Sequence, residues 1–240
     1  MKTMKNMPVC DLRSYLTAEA AQDIGEIRNV AVVVLPKDAS DEVRQALHSI
    51  PMENVASVIE LEKDARLRII NGVSEIGESD LGTSETNALI INGVSLFTDI
   101  TPESRAILFL NGVAIINARL KSHPGLEFAL VNGVRLFAEF DAYKWFPDKI
   151  EVDRDFLTWL APGIAVIAGN KIRIAEDVTM DLLQEKKTTF IAGNKIECPA
   201  AILGYVKSVS KVGNKVIVRG ADAESDEKGN EDGNGDRDAD

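Results

Sequence analysis

The sequence has few of the residue types that mark secreted, metal-binding or membrane-spanning proteins. Only two cysteines and two histidines occur among 240 residues, too few for a disulfide framework or a Cys/His metal site. No apolar run approaches the roughly eighteen residues of a transmembrane helix, and the start of the chain lacks the apolar core of a signal peptide. These absences predict a cytoplasmic protein with reduced thiols, no metal and no membrane partner.

A net excess of basic charge is also lacking. Of the net charge of −11, residues 221–240 contribute −7, from nine acidic and two basic side chains, which leaves −4 for the first 220 residues. A body so close to neutral has no basic field for binding the nucleic-acid backbone. We therefore predict no nucleic-acid partner. Low hydrophobicity and high charge indicate that residues 220–240 form a disordered acidic tail.

Catalytic motifs are missing as well. The sequence contains neither a G-x-S-x-G elbow nor a Gly-rich phosphate loop, which are the short signatures of many hydrolases and nucleotide-binding enzymes. His48 and His123 belong to different segments and have no recognisable partners. The sequence thus predicts no catalytic residue and no cofactor.

A short repeat is what the sequence has in abundance. An Asn-Gly pair between apolar residues, as in "NALIINGVSLF", occurs four times at intervals of 21, 19 and 21 residues. An inverted Gly-Asn pair followed by lysine occurs three more times, at intervals of 24 and 20. A period near twenty is typical of stacked-repeat proteins. The predicted structural turns are Asn71, Gly72, Asn92, Gly93, Asn111, Gly112, Asn132, Gly133, Gly169, Asn170, Gly193, Asn194, Gly213 and Asn214.

Two geometries could use these pairs. Asn-Gly is a strong signal for a two-residue hairpin turn, because both residues tolerate positive φ, and repeated hairpins would form antiparallel sheets. Such a hairpin would pair Ile90 with Ser95, yet it would leave both faces apolar, whereas a half-solvated hairpin has one polar face. Regular spacing with variable linkers favours the other geometry, a mainly β fold built as a parallel β-solenoid of roughly 20-residue coils.

This pattern resembles parallel β-helix proteins, in which asparagines at equivalent corners stack into hydrogen-bonded ladders. Over residues 67–219 it is also similar, in general terms, to the bactofilins, which are polymer-forming bacterial β-helices. Glycine-punctuated bactofilin rungs and the hexapeptide repeats of left-handed helices are absent, so the resemblance assigns no specific family. It implies stacked coils and asparagine ladders.

The segments outside the repeats divide the chain further. Residues 1–66 read as an α/β cap with a βαβ unit, in which Ser40 begins a helix between two similar strands. A short helix from Thr17 is predicted to bury Leu16, Ala20, Ile24 and Ile27. The predicted regions are 1–66 as the cap, 67–140 as Asn-Gly coils, 141–160 as an aromatic-rich spacer or degenerate coil, 161–219 as Gly-Asn coils, and 220–240 as the tail.

The aromatic-rich segment carries the candidate contact residues. Seven of the thirteen aromatic side chains lie between Phe137 and Trp159. Tyr143, Trp145 and Trp159 could stack a sugar or anchor a partner, although aromatic residues are core material first. The leading hypothesis is a non-enzymatic scaffold that binds proteins, itself included, through its solenoid ends. The alternative is a carbohydrate-active β-helix enzyme or a carbohydrate-binding module.

Overall fold

The protein is mainly β, and its strands form parallel sheets. The computed structural model describes residues 1–84 and 87–220, so the predicted acidic tail after residue 220 lies outside the described residues. The described chain divides into two compact units. The first comprises Met1–Ala114 and Arg119–Val134, and the second comprises Ile115–Ala118 and the chain from Arg135 onward.

The first unit begins with a three-stranded parallel sheet in the order β1-β2-β3. Its strands are β1 (Lys2–Asp11), β2 (Ile24–Pro36) and β3 (Met52–Leu61), and its helices are α1 (Ala18–Gln22) and α2 (Asp41–His48). The Ser40 side chain caps α2 by accepting from the Val43 amide at 3.4 Å, and Leu47 on the same helix is fully buried. A helix between two parallel strands is the βαβ arrangement.

The helix predicted from Thr17 is shorter than expected. Thr17 does cap it, accepting from the Ala20 amide at 3.2 Å, but the helix ends at Gln22. Ile24 and Ile27 are buried in strand β2 instead. The predicted burial of Leu16 is wrong, because this residue precedes the helix and is exposed. β-branched residues favour strands, and β2 lies between β1 and β3, so pairing on both sides outweighs the short helical pattern.

The Asn-Gly segments form a second sheet, in the order β4-β5-β6-β7. These strands are β4 (Leu67–Ile76), β5 (Ala88–Phe97), β6 (Ala106–Asn117) and β7 (Leu126–Ala138). Each Asn-Gly pair lies within one continuous strand. Ile90 pairs in parallel with Ile69, not with Ser95. The antiparallel-hairpin alternative is therefore wrong. The physical reason is that stacking similar segments lets each strand bury its apolar residues against identical neighbours.

The second unit repeats a strand, a corner, a strand and a helix. One parallel sheet has the order β14-β12-β10-β8 and another the order β15-β13-β11-β9. The elements are β8 (Tyr143–Phe146), β9 (Lys149–Val152), α3 (Arg154–Trp159), β10 (Ala165–Ala168), β11 (Lys171–Ile174), α4 (Met180–Lys186), β12 (Phe190–Ala192), β13 (Lys195–Cys198), α5 (Leu203–Val209), β14 (Ser210–Val212) and β15 (Lys215–Val218).

Both sheets and all three helices enclose one apolar core. Val166 and Ile172 come from the sheets, and Leu157, Leu183 and Val206 come from the helices. Side chains cap the first two of these helices: Asp153 accepts from the Phe156 amide at 2.7 Å at the start of α3, and Thr179 accepts from the Leu182 amide at 3.3 Å at the start of α4. A strand pair alone leaves its inner face open, so the helical segment closes each repeat over the core.

Candidate functional site

The Asn-Gly asparagines form a hydrogen-bonded ladder across the second sheet. Asn92 donates to Asn71 at 3.0 Å, Asn111 donates to Asn92 at 3.4 Å, and Asn132 donates to Asn111 at 3.1 Å. In every step the Nδ2 amide of the later residue donates to the Oδ1 of the earlier one. The ladder therefore has a direction, with an amide donor at its first rung and an acceptor at its last.

The Gly-Asn repeats carry a ladder of the same direction that begins on a carboxylate. Asn170 donates to Asp148 at 3.0 Å, Asn194 donates to Asn170 at 3.2 Å, and Asn214 donates to Asn194 at 3.3 Å. Asp148 was not predicted as a turn residue, because it replaces the expected asparagine. An ionised carboxylate only accepts, so Asp148 fixes the direction of this ladder and ends it.

A third ladder lies in the cap and was missed from the sequence. Asn29 donates to Asn6, and Asn54 donates to Asn29, both at 3.0 Å. All three residues have positive φ, between 52° and 56°, a conformation that asparagine tolerates better than most residues. The available signal was an asparagine before an apolar residue in "KNM", "RNV" and "ENV", without the glycine that marks the later repeats.

Glycine is required in the repeats for two separate physical reasons. Gly112 has a φ of +141°, and a Cβ added there would overlap the carbonyl oxygen of Gly93. Gly213 has no positive φ, yet its Cβ would overlap the carbonyl oxygen of Gly193. Positive φ therefore does not explain the glycine at position 213. There the glycine permits close backbone approach between stacked strands.

A buried carboxylate lies on the outer face of the sheet β15-β13-β11-β9. Glu197 contacts Lys171 Nζ at 2.5 Å, Arg173 Nε at 3.0 Å and Lys195 Nζ at 3.1 Å, and its side chain is only 8% exposed. Burial raises the pKa of Glu197, but hydrogen bonds from the three cations outweigh it and lower the pKa to about 2. Glu197 is therefore ionised at every physiological pH.

The candidate contact residues lie on two elements, strand β8 and helix α3. Trp159 lies at the end of α3 and is 89% exposed. Trp145 lies on β8, where it pairs with Ile167, and Tyr143 on the same strand makes an edge contact with Phe140 at 5.5 Å. The nearby acid Asp153 caps α3. Trp159 is thus the aromatic side chain most available to a partner.

A pocket of about 490 Å³ lies in the first unit. Its charged lining is mixed, with Lys37 and Arg105 against Glu60, Glu62 and Glu127. The Nη1 of Arg105 already donates to the carbonyls of Pro102 and Ser104. Its remaining lining consists of Leu61, Ala65, Ala106, Ile107, Pro124 and Gly125, and none of these residues is a nucleophile or a general base.

The two cysteines belong to different units, and each histidine contacts a different neighbour. Cys10 and Cys198 are free and buried, and burial raises the pKa of both, which disfavours the reactive thiolate. His48 contacts Glu60 at 3.4 Å, and His123 Nε2 lies 2.9 Å from the Thr101 carbonyl. Within residues 1–84 and 87–220, no group of three or more His, Cys, Asp and Glu side chains could hold a metal ion.

Comparison of the chain with known proteins identifies no relative: it matches no family model, no curated protein and no solved structure. Across the described ranges, none of the helices has both the length and the apolarity needed to cross a membrane. The site that the geometry defines is a stack of parallel strands with directional amide ladders and open sheet edges.

Proposed function

We propose that this protein is a non-enzymatic cytoplasmic scaffold, built as a β-solenoid, that binds a second copy of itself through its last repeat. The observation that carries the proposal is the outer edge formed by β14 and β15, each of which ends the strand order of its sheet. Edge strands offer backbone hydrogen-bonding groups to another chain.

Side-chain burial supports this edge as the binding surface. Ile172 and Ile196 are fully buried, whereas Val216, the next residue in the same row, is half-buried. In the other sheet Ala168 and Ala192 are fully buried and Val212 is half-buried. The last repeat thus leaves part of its core residues uncovered, and apolar surface at a repeat end is stabilised by a further layer.

The ladder supports the same surface. Asn214 donates to Asn194, and within the described part of the chain no donor bonds the Oδ1 of Asn214. A second copy that binds along β15 would cover the exposed part of Val216 and supply hydrogen bonds to that edge. The closed, symmetric arrangement of two identical edges is the commonest form of a soluble dimer.

Analytical ultracentrifugation of the full-length protein across a concentration series tests the proposal. We expect a dimer that Val216→Lys weakens by at least about tenfold in Kd, since one buried charge at an interface costs about 1.4 kcal/mol or more. Val58→Lys is the matched control, because Val58 is exposed on another edge strand, β3. Circular dichroism confirms that both variants fold.

A strictly monomeric wild type at high concentration would rule out this mode of self-association. Equal weakening by Val216→Lys and Val58→Lys would also count against it, because the effect would then be a general response to added charge. Hydrogen exchange gives an independent readout: amides of β15 should be more protected in concentrated than in dilute solution.

One observation favours carbohydrate binding as a second candidate function. Trp159 is 89% exposed, and an exposed indole is a stacking surface for a sugar ring. A glycan array probed with the full-length protein tests this candidate. Binding that Trp159→Ala abolishes would support it, whereas binding that survives the substitution would exclude Trp159 as the contact.

A further inference from the structure

The sheet β4-β5-β6-β7 ends in two edge strands, β4 and β7, and both carry exposed apolar side chains within the first unit. Ile69 and Val73 of β4 are 40% and 41% exposed, and Val131 of β7 is 37% exposed. On the interior strand β5, Ile90 and Ile91 beside the same Asn-Gly pair are fully buried. Each edge therefore lacks the neighbouring strand that covers these positions inside the sheet.

Neither edge strand carries the usual protection against pairing with another chain. Natural proteins commonly protect sheet edges with lysine, proline or a β-bulge. Strands β4 and β7 contain no lysine and no proline, and β4 pairs with β5 over ten residues without a shift in register. Both edges are therefore suited to pairing with a further strand.

The asparagine ladder ends differently at the two edges. Asn71 accepts from Asn92 through its Oδ1, and its Nδ2 donates to no residue that the structure describes. Asn132 donates to Asn111, and within the described ranges no donor bonds its Oδ1. A β4 strand placed beside the β7 strand of another copy would join this donor to this acceptor and continue the ladder in the same direction.

The glycines beside the ladder show the same complementarity. A Cβ on Gly93 would overlap the carbonyl oxygen of Gly72, and a Cβ on Gly133 would overlap that of Gly112. A Cβ on Gly72 would meet nothing within 4 Å. The space that a carbonyl fills on the later strands is thus open on β4, and the Gly133 carbonyl of another copy would fill it.

The register that continues the ladder also matches the flanking side chains. Counted from the asparagines, it places Val73 beside Val134, and it places Arg66, directly before β4, beside Glu127. Arg66 and Glu127 are both exposed, and opposite charges at paired positions on neighbouring strands stabilise a sheet. One register therefore satisfies the polar, apolar and charged positions together.

We propose that the first unit binds a second copy of this chain head to tail, with β4 of one copy added in parallel to β7 of the other. The two contacting edges differ, so the interface is heterologous and each copy keeps one edge for a further copy. The inference goes beyond the dimer proposed above, which uses the edge at β15 and closes after two copies. One sheet contributes an edge here and two contribute edges at the last repeat, so head-to-tail assembly requires a higher protein concentration.

Sedimentation of the full-length protein carrying Val216→Lys tests the inference without the contribution of β15. We expect the average mass to rise with concentration past that of two copies. Adding Ile69→Lys or Val131→Lys should weaken this association by at least about tenfold in Kd, because each places a charge against the apolar edge of another copy. Val58→Lys is the matched control, since Val58 is 44% exposed on β3 of the same unit, and it should change nothing.

Mixing the two blocked variants identifies a head-to-tail contact. Ile69→Lys protein keeps an intact β7, and Val131→Lys protein keeps an intact β4. Each variant alone should remain monomeric, whereas an equimolar mixture should form dimers and nothing larger. Circular dichroism checks that every variant folds.

Asn71→Asp separates the ladder from apolar packing. Within one chain the aspartate still accepts from Asn92, as Asp148 accepts from Asn170, so the fold should be retained. An ionised carboxylate cannot donate to the Asn132 Oδ1 of another copy. We therefore expect this variant to fold normally and to assemble at least about tenfold more weakly in Kd.

Four results would overturn the inference. The first is a Val216→Lys protein that stays monomeric at every concentration. The second is dimerisation of Ile69→Lys or Val131→Lys protein alone, or an equimolar mixture of them that stays monomeric. The third is equal weakening by Val58→Lys, and the fourth is unchanged assembly of Asn71→Asp. Identical sedimentation of wild type and Val216→Lys would instead refute the β15 dimer, so failures of the two proposals are distinguishable.

Discussion

Replacing Glu197 by glutamine should destabilise the second unit, because it leaves the surrounding cations without their carboxylate. The substitution keeps the shape of the side chain but removes the charge that three cations surround at 2.5 to 3.1 Å. The fall in pKa from the ordinary 4.5 to about 2 corresponds to at most about 3 kcal/mol of stabilisation. Arg173 is 42% exposed, and solvent screening reduces such interactions, so we expect a loss of about 1–3 kcal/mol at pH 7.

The pH dependence of that loss identifies its cause. Because the folded-state pKa is lowered, the stabilisation is complete above the unfolded-state pKa of 4.5 and disappears as the pH falls towards 2. Urea unfolding followed by circular dichroism from pH 2.5 to pH 7 should therefore show wild type and Glu197→Gln converging in acid. Glu151→Gln is the control, since Glu151 is 52% exposed, and it should cost less than about 0.5 kcal/mol.

A difference between wild type and Glu197→Gln that stays constant from pH 3 to pH 7 would refute this reasoning. Packing or neutral hydrogen bonding would then account for the loss, and the charge of Glu197 would contribute nothing. A loss no larger than that of Glu151→Gln would refute it equally.

Three further predictions concern the ladders, the glycines and a buried lysine. Asn111→Ala should cost about 1–2 kcal/mol and Asn132→Ala about half as much, because an interior rung makes two amide bonds and the last makes one; thermal unfolding measures both. Gly112→Ala should lower the free energy of unfolding by about 3 kcal/mol or more, because the new Cβ would both overlap a carbonyl oxygen and strain the positive φ. Gly72→Ala should cost only about 1 kcal/mol, because its Cβ would meet nothing within 4 Å. Comparable losses in the two variants would refute the stacking argument. Lys186→Met should lower the free energy of unfolding by about 1–3 kcal/mol, since the Nζ of Lys186 donates to two carbonyls at the end of α3. Chemical denaturation measures this loss, and an unchanged unfolding midpoint would contradict the prediction.

Much of the β architecture follows from local chemistry. Asn-Gly pairs at a period near twenty predict stacking, since repeats with the same apolar pattern bury one another. The pairing of Asn71 with Asn92 and of Ile69 with Ile90 is the register that this periodicity predicts. The cap helix from Ser40 was also predictable, because its N-cap and its apolar face lie in neighbouring residues.

Other features were set by distant contacts. The helices α3 to α5 are six or seven residues long, too short for a periodic pattern, and they are stabilised by the core that they cover. Asp148 is an ordinary surface acid in the sequence, and its role depends on Asn170, which lies 22 residues later.

The sequence by itself determined the repeat period, the parallel stacking and the acidity of the tail, because these depend on residue types at fixed spacing. Only the tertiary structure decided where the polar groups meet. Glu197 lies among cations contributed by two strands, and four strands must align in register to bring together Lys149, Lys171, Lys195 and Lys215. Charges separated by twenty residues become neighbours through strand pairing, and no local pattern encodes that distance.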